Sequence, residues 1–158
     1  FKSSDLVENV SNNQIFLNRK QIDSLGLNIN AVQKAIVNEL IGYKNIEKVF
    51  SAHTMTTTNF TTGIESLLQN GYNQKRSGDI VLLSDPAYIS YRTTGSTHGS
   101  GLNYDTHVPL LFFGKGINHG ETYDKTVIPD IAATMSALLG ISFPNASTGE
   151  VLGIVIEK

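Results

Sequence analysis

The six residues Val108-Pro109-Leu110-Leu111-Phe112-Phe113 constrain the fold more than any other part of the chain. A nearly unbroken apolar run of this length is what a strand buried on both faces of a sheet requires. The pattern therefore predicts a buried strand over 108–113. Just before it lies Gly95-Ser96-Thr97-His98-Gly99-Ser100-Gly101. Glycines on both sides of His98 free the backbone for positive φ and leave little bulk around the imidazole, so a metal ion and a substrate can approach it closely. Gly95, Thr97, Gly99 and Ser100 read as the support of a site carried by His98, with a rigid strand to hold the loop.

Elsewhere the pattern alternates between strand and helix. Residues 14–18 read as a short strand. Asn30 is placed to cap a helix bearing Val32, Ala35, Ile36, Val37 and Leu40 on one side, with Gly42 to end it. Residues 46–50 form a second strand, giving a strand, helix, strand unit whose pairing direction the sequence leaves open. A short helix over 62–68 ends near Asn70-Gly71, and a strand over 79–83 stops at Asp85-Pro86. A helix from about 130 to 139, with Gly140 at its end, and a last strand over 151–156 complete the reading. The threonine-rich stretch 54–62 reads as an exposed loop. Alternation of this kind is that of an α/β domain.

Composition excludes more than it identifies. A formal charge of −2 and the absence of a basic run leave no electrostatic footprint for nucleic acid or for an acidic membrane surface. There is no cysteine, hence no disulfide framework and no thiolate metal site. No apolar segment approaches the length of a membrane span.

Three sets of words in the chain are those of a known family. T-H-G-S, Y-D-T-H-V-P-L-L-F and F-G-K-G-I, followed by the stretch from Val127 to Ile141, resemble the alkaline phosphatase superfamily. The likeness is greatest to its bacterial threonine-nucleophile phosphatases and their phosphodiesterase relatives. Upstream, residues 71–81 are similar to that family's N-x-K-R-S-G-D-(I/V) lead into a strand. The resemblance implies part of an α/β/α sandwich with a mixed sheet, incomplete in this chain. Residues 1–70 would be an insert-like strand-helix-strand part, and 71–158 the carboxy-terminal part of the catalytic domain. It implies a phosphate monoester substrate and two Zn²⁺ ions in the full-length enzyme, in a periplasmic or extracytoplasmic setting. His98 would be a metal ligand, while the nucleophile and the remaining ligands would lie upstream of Phe1. The chain alone is then expected to be inactive.

Other residues carry more than one reading. His107 either donates a hydrogen bond in support of the metal site or packs at the strand end. Asp105 either orients a histidine or caps a turn. His53 and His119 have no supporting pattern and read as solvated. Asp130 reads as a capping carboxylate at a helix start. The cluster Asn73, Lys75, Arg76, Ser77 and Gly78 could form an anion nest, but a surface turn leading into a buried strand is the simpler reading. Three functions compete: part of a zinc phosphatase, part of a phosphodiesterase or nucleotide pyrophosphatase of the same fold, and a noncatalytic α/β binding module.

Overall fold

The computed structural model describes residues 5–89 and 99–156. Two compact units make up the chain, 1–108 and 109–158.

The amino-terminal unit opens with a hairpin, β1 (Val7–Ser11) and β2 (Gln14–Leu17). Its two-residue turn is Asn12-Asn13, both at positive φ, 50° and 57°. Such turns match the twist of the flanking strands, and asparagine tolerates the left-handed region better than most residues. The register pairs Ser11 with Gln14 and Val10 with Ile15. Every residue of β1 is exposed, so its sequence carries no apolar alternation to announce it.

Helix α1 (Arg19–Ser24) follows, capped by the Asn18 side chain, and buries Ile22 completely. Helix α2 (Ile29–Leu40) is capped by Asn28, whose side chain accepts from the N–H groups of Asn30 and Ala31. Asn30 is thus inside the first turn and is not the cap. Asn28 has the extended backbone that a cap needs, and its oxygen satisfies two N–H groups that the helix leaves without partners. Val32 is buried, and Ile36, Val37 and Leu40 pack against the core, whereas Ala35 is exposed.

Strand β3 (Ile46–Ser51) runs into helix α3 (Ala52–Thr57). Residues 54–57, read from sequence as loop, are therefore helical. Ser51 caps this turn through Thr54 N–H, and Met55 is buried beneath it, which outweighs the poor helix propensity of the threonines. Helix α4 (Gly63–Gly71) leads to strand β4 (Ile80–Ser84). The sheet order is β1-β2-β4-β3 and every pairing is antiparallel. Among the described residues the sheet is therefore not the mixed one expected. Because β4 is antiparallel to both neighbours, β2 and β3 run the same way, and the later strand sits between them. Ile15, Leu17, Ile22, Val32, Val49 and Ile80 form the core between sheet and helices.

Helix α5 (Asn103–Thr106) is a single turn near the end of this unit.

In the carboxy-terminal unit residues 109–113 form no strand, and Leu111 and Phe113 are 87% and 103% exposed. The buried strand predicted here is not formed: among the described residues no strand pairs with this run, so its backbone has no ladder to join. Residues 151–156 likewise form only an isolated bridge, Ile117 with Ile156. Asn118 supports that bridge by donating to the carbonyls of Ile154 and Ile156. Helix α6 (Pro129–Leu139) has proline at its start, where a missing N–H costs nothing, and ends on Gly140 at φ 63°.

Candidate functional site

Gly95, Thr97 and His98 lie outside the described residues, so the site is built from what flanks them. On the carboxy-terminal side, Gly99 takes φ 111°, a conformation that side-chain-bearing residues rarely adopt. The next residue is held by Asp105, whose Oδ2 accepts from Ser100 N–H at 3.0 Å and from Ser100 Oγ at 2.6 Å. Gly101 packs against α4, where an added Cβ would come within 3.0 Å of the Ile64 side chain.

The segment before residue 90 is tied to the same helical turn. Tyr104 Oη accepts from Ala87 N–H at 3.1 Å. Consecutive residues of α5, Tyr104 and Asp105, thus bind both described flanks of the segment that contains His98. Sequence reasoning missed Tyr104, and only its place beside Asp105 in Y-D-T-H could have suggested it. His107 ends α5, its N–H donating to Asn103 O, and its side chain is exposed. An open groove of about 680 Å³ runs beside α5, with Ile64, Leu67, Pro86, Leu102 and Tyr104 in its lining. His53 and His119 are exposed, His53 on the rim of a separate depression with Lys34 and Ser51.

The cationic turn at 73–78 has a local explanation for its residues. Asn73 O accepts from both Arg76 N–H and Ser77 N–H, Asn73 Oδ1 accepts from Lys75 N–H, and Ser77 Oγ accepts from Asn73 N–H. Lys75 and Arg76 are exposed. Gly78 passes so close to β2 that a Cβ would lie 2.9 Å from Ile15 O. Asp79 then enters the interior, 4% exposed, and accepts from Leu17 N–H at 2.9 Å, from Arg19 at 2.6 Å and from Gln33 at 3.4 Å. A buried carboxylate is tolerable only when its oxygens are paired in this way. The motif builds the strand's approach to the sheet, with Asp79 joining β2, α1 and α2. Nearby Tyr72 has its phenol pushed up by burial, and the negative Asp79 adds to the effect.

Asp130 is a structural carboxylate of the carboxy-terminal unit. Oδ2 accepts from Val127 N–H at 2.8 Å, as a residue in a helix's first turn does, and Oδ1 accepts from Glu150 N–H at 2.9 Å. Donation by Val127, then by Glu150, holds its carboxyl below the usual range. Thr134, one turn on, accepts from Leu152 N–H. The chain fits under α6 only because residue 149 is glycine, since a Cβ there would collide with the Pro129 carbonyl.

Among the described residues no group of three or more histidine, aspartate and glutamate side chains could hold a metal ion. Nor, among them, is any helix long and apolar enough to cross a membrane.

No protein-family model matches the chain. It is 35% identical over 159 residues to alkaline phosphatase PafA of Elizabethkingia meningoseptica, an alignment that covers 100% of this chain and 29% of that protein. It is 32% identical over 160 residues to a protein of Myroides odoratus named calcium-transporting ATPase, with 100% and 29% covered. To alkaline phosphatase PhoV of Synechococcus elongatus it is 29% identical over 143 residues, with 90% and 26% covered. The crystal structure of wild-type PafA superposes with a TM-score of 0.90 at 35% identity, over 99% of this chain and 30% of that one. The chain therefore spans less than a third of the length of these curated relatives.

Proposed function

We propose that this chain, which belongs to the PafA-like alkaline phosphatases as a portion of such an enzyme, contributes His98 as one metal ligand of a zinc-dependent phosphate monoesterase. The observation that carries the reading is the whole-chain similarity to an alkaline phosphatase at 35% identity, which spans the glycine-flanked histidine. The clip formed by α5 adds a physical reason for the loop to be held at both flanks. Geometry at a metal must be kept to a fraction of an ångström, and the residues behind a ligand do that.

Zinc suits His98 by donor chemistry, because neutral imidazole is among its common ligands. One imidazole, however, is one of the three protein ligands that a catalytic zinc needs. The residues described here do not complete the set, so no chemical step is assigned to this chain. When bound, the metal would supply Lewis acidity and an activated oxygen nucleophile. The chain's own part is to place the imidazole. Asp105 acts through Ser100 as a positioning residue, and His107, at the end of the same turn, is a weaker candidate for support. The setting is periplasmic or extracytoplasmic, and the substrate a phosphate ester.

The test is made in the full-length enzyme that carries this segment. Replacing His98 by alanine should remove most turnover of an aryl phosphate monoester and lower the bound zinc, with the fold kept. Asp105→Ala should cost less and Asp105→Asn less again, since asparagine still offers an oxygen to Ser100. His107→Ala should cost little, and His53→Ala or His119→Ala close to nothing. The 158-residue chain alone should show no turnover and at most weak zinc affinity. A His98→Ala enzyme with full zinc and normal turnover would remove the assignment. Faster turnover of diesters than of monoesters would point to the phosphodiesterase reading instead. A full-length protein with neither zinc nor activity would favour a binding module.

A further inference from the structure

Most of the described non-glycine residues at positive φ are asparagine or aspartate: Asp5, Asn12, Asn13 and Asn45. Their short polar side chains bond to nearby backbone and make that conformation tolerable. Ala87 and Ala146 are the exceptions, and of the two only Ala87, at φ 61°, leads into the segment that contains His98. An alanine has no polar side chain to support a left-handed backbone, so its support must come from elsewhere. Residues held in this way concentrate where a protein needs a fixed geometry.

The support is visible around Ala87. Strand β4 ends at Ser84, and the chain then turns over Asp85-Pro86-Ala87-Tyr88, with Tyr88 N–H donating to Asp85 O at 3.1 Å. Proline at the second position and positive φ at the third are the marks of a type II turn, whose third position favours glycine. Here the third residue is alanine, and its N–H donates to Tyr104 Oη at 3.1 Å. Tyr104 comes from α5, far along the chain.

We infer that Tyr104 is a positioning residue of the phosphatase site: its hydroxyl oxygen holds Ala87 in the left-handed region and so fixes how the chain enters the segment carrying His98. The inference rests on the metal-ligand reading of His98 proposed above. Asp105, the next residue, holds Ser100 beyond that segment. The two differ in what they do. Asp105 gathers the two donors of a serine, whereas Tyr104 works against a backbone preference. Without the hydroxyl, the turn relaxes toward forms that alanine adopts more readily. A glycine at 87 would remove that preference, since it takes positive φ without help.

Tyr104→Phe in the full-length enzyme tests this, because it removes the oxygen and keeps the ring. At saturating zinc it should lower kcat for an aryl phosphate monoester about fivefold, the worth of one hydrogen bond. Zinc release to a chelator and amide exchange over 85–89 should each become faster by about the same factor. Adding Ala87→Gly to Tyr104→Phe should restore most of all three. That rescue separates a held turn from a tyrosine that only packs beside the groove. Unchanged exchange over 85–89 in Tyr104→Phe would overturn the inference, as would faster exchange with normal kcat and normal zinc release. So would a double variant no better than Tyr104→Phe. His98→Ala tests the metal-ligand reading with Tyr104 left in place, so failure of that reading and failure of this inference are told apart.

Discussion

The two units use apolar residues in opposite ways. In 1–108 the buried apolar set, including Ile15, Leu17, Ile22, Val32, Val49 and Ile80, forms a single core between sheet and helices. In 109–158 the equivalent residues point outward and polar groups do the joining: Asp130 and Thr134 tie α6 to residues 150–152, and Asn118 ties residues 154–156. A small unit held by a few hydrogen bonds, each contributing about 1 kcal/mol, lacks the burial that stabilises independent domains. The difference teaches that two compact units of one chain can be held by different means, one by apolar burial and the other by a few polar ties.

The largest effect expected on stability lies in the first unit. Ile22→Ala should lower its unfolding free energy by about 2–5 kcal/mol, as buried isoleucines do, seen as a lower urea midpoint for signals from β2 and β4. Leu111→Ala in the same chain should change stability by less than about 0.5 kcal/mol, the range for exposed sites. A comparable loss in both variants would break the comparison.

Asp79→Ala comes next. Leu17 N–H would lose its acceptor in a buried place, at a cost of about 1–3 kcal/mol. Chemical shifts of Leu17 and Gln33 should change along with the midpoint, and an unchanged midpoint would show that Asp79 is dispensable.

Asp130 sharpens the comparison from the other side. Its carboxyl lies below the ordinary 3.8 because backbone N–H groups donate to it. A folded value below the unfolded one gives stabilisation that is complete above about 3.8 and is lost as pH falls through the lowered folded value. Acidification through that window should speed exchange of the Val127 and Glu150 amides before the amides of β4 are affected. Asp130→Asn should reproduce the loosening at neutral pH, since one of its two acceptor positions becomes a donor.

The smallest effect should come from the half-buried pair Lys48 and Glu65. Each holds the other charged, Lys48 shifted up and Glu65 shifted down, so the pair persists from above the carboxyl range to beyond pH 10.5. Lys48→Met should still leave the urea midpoint unresolved from wild type at neutral pH, because a single pair that water still reaches contributes little and the methionine keeps the apolar stem. A clear shift would show that α4 depends on this contact.

How much of this was legible in the sequence follows the same division. Strands β2, β3 and β4 and helix α2 could be read because their apolar residues face the core, whereas α4 and α6 were legible by the residues that end them, Gly71 and Gly140. Hairpin strand β1 could not, since all its residues are exposed, and α3 was hidden by threonines whose poor propensity is outweighed by Met55 and the Ser51 cap. The run 108–113 misled for the opposite reason: its apolar composition reads as a buried strand, yet it forms none, and Leu111 and Phe113 are exposed. At the site, the sequence pointed to His98 and to Asp105, which binds Ser100. It did not show that Tyr104 and Asp105 hold both flanks of one segment, because that depends on Ala87 and Ser100 reaching the same helical turn.

The most direct measurement of the central claim, that 1–108 is held by an apolar core and 109–158 by a few hydrogen bonds, is residue-resolved amide exchange across a urea titration of the 158 residues. Amides of α6 should lose protection at low urea and report a small opening free energy, while those of β4 should hold until a single later transition. Coincident loss of protection in α6 and β4, at one midpoint and with one slope, would contradict it.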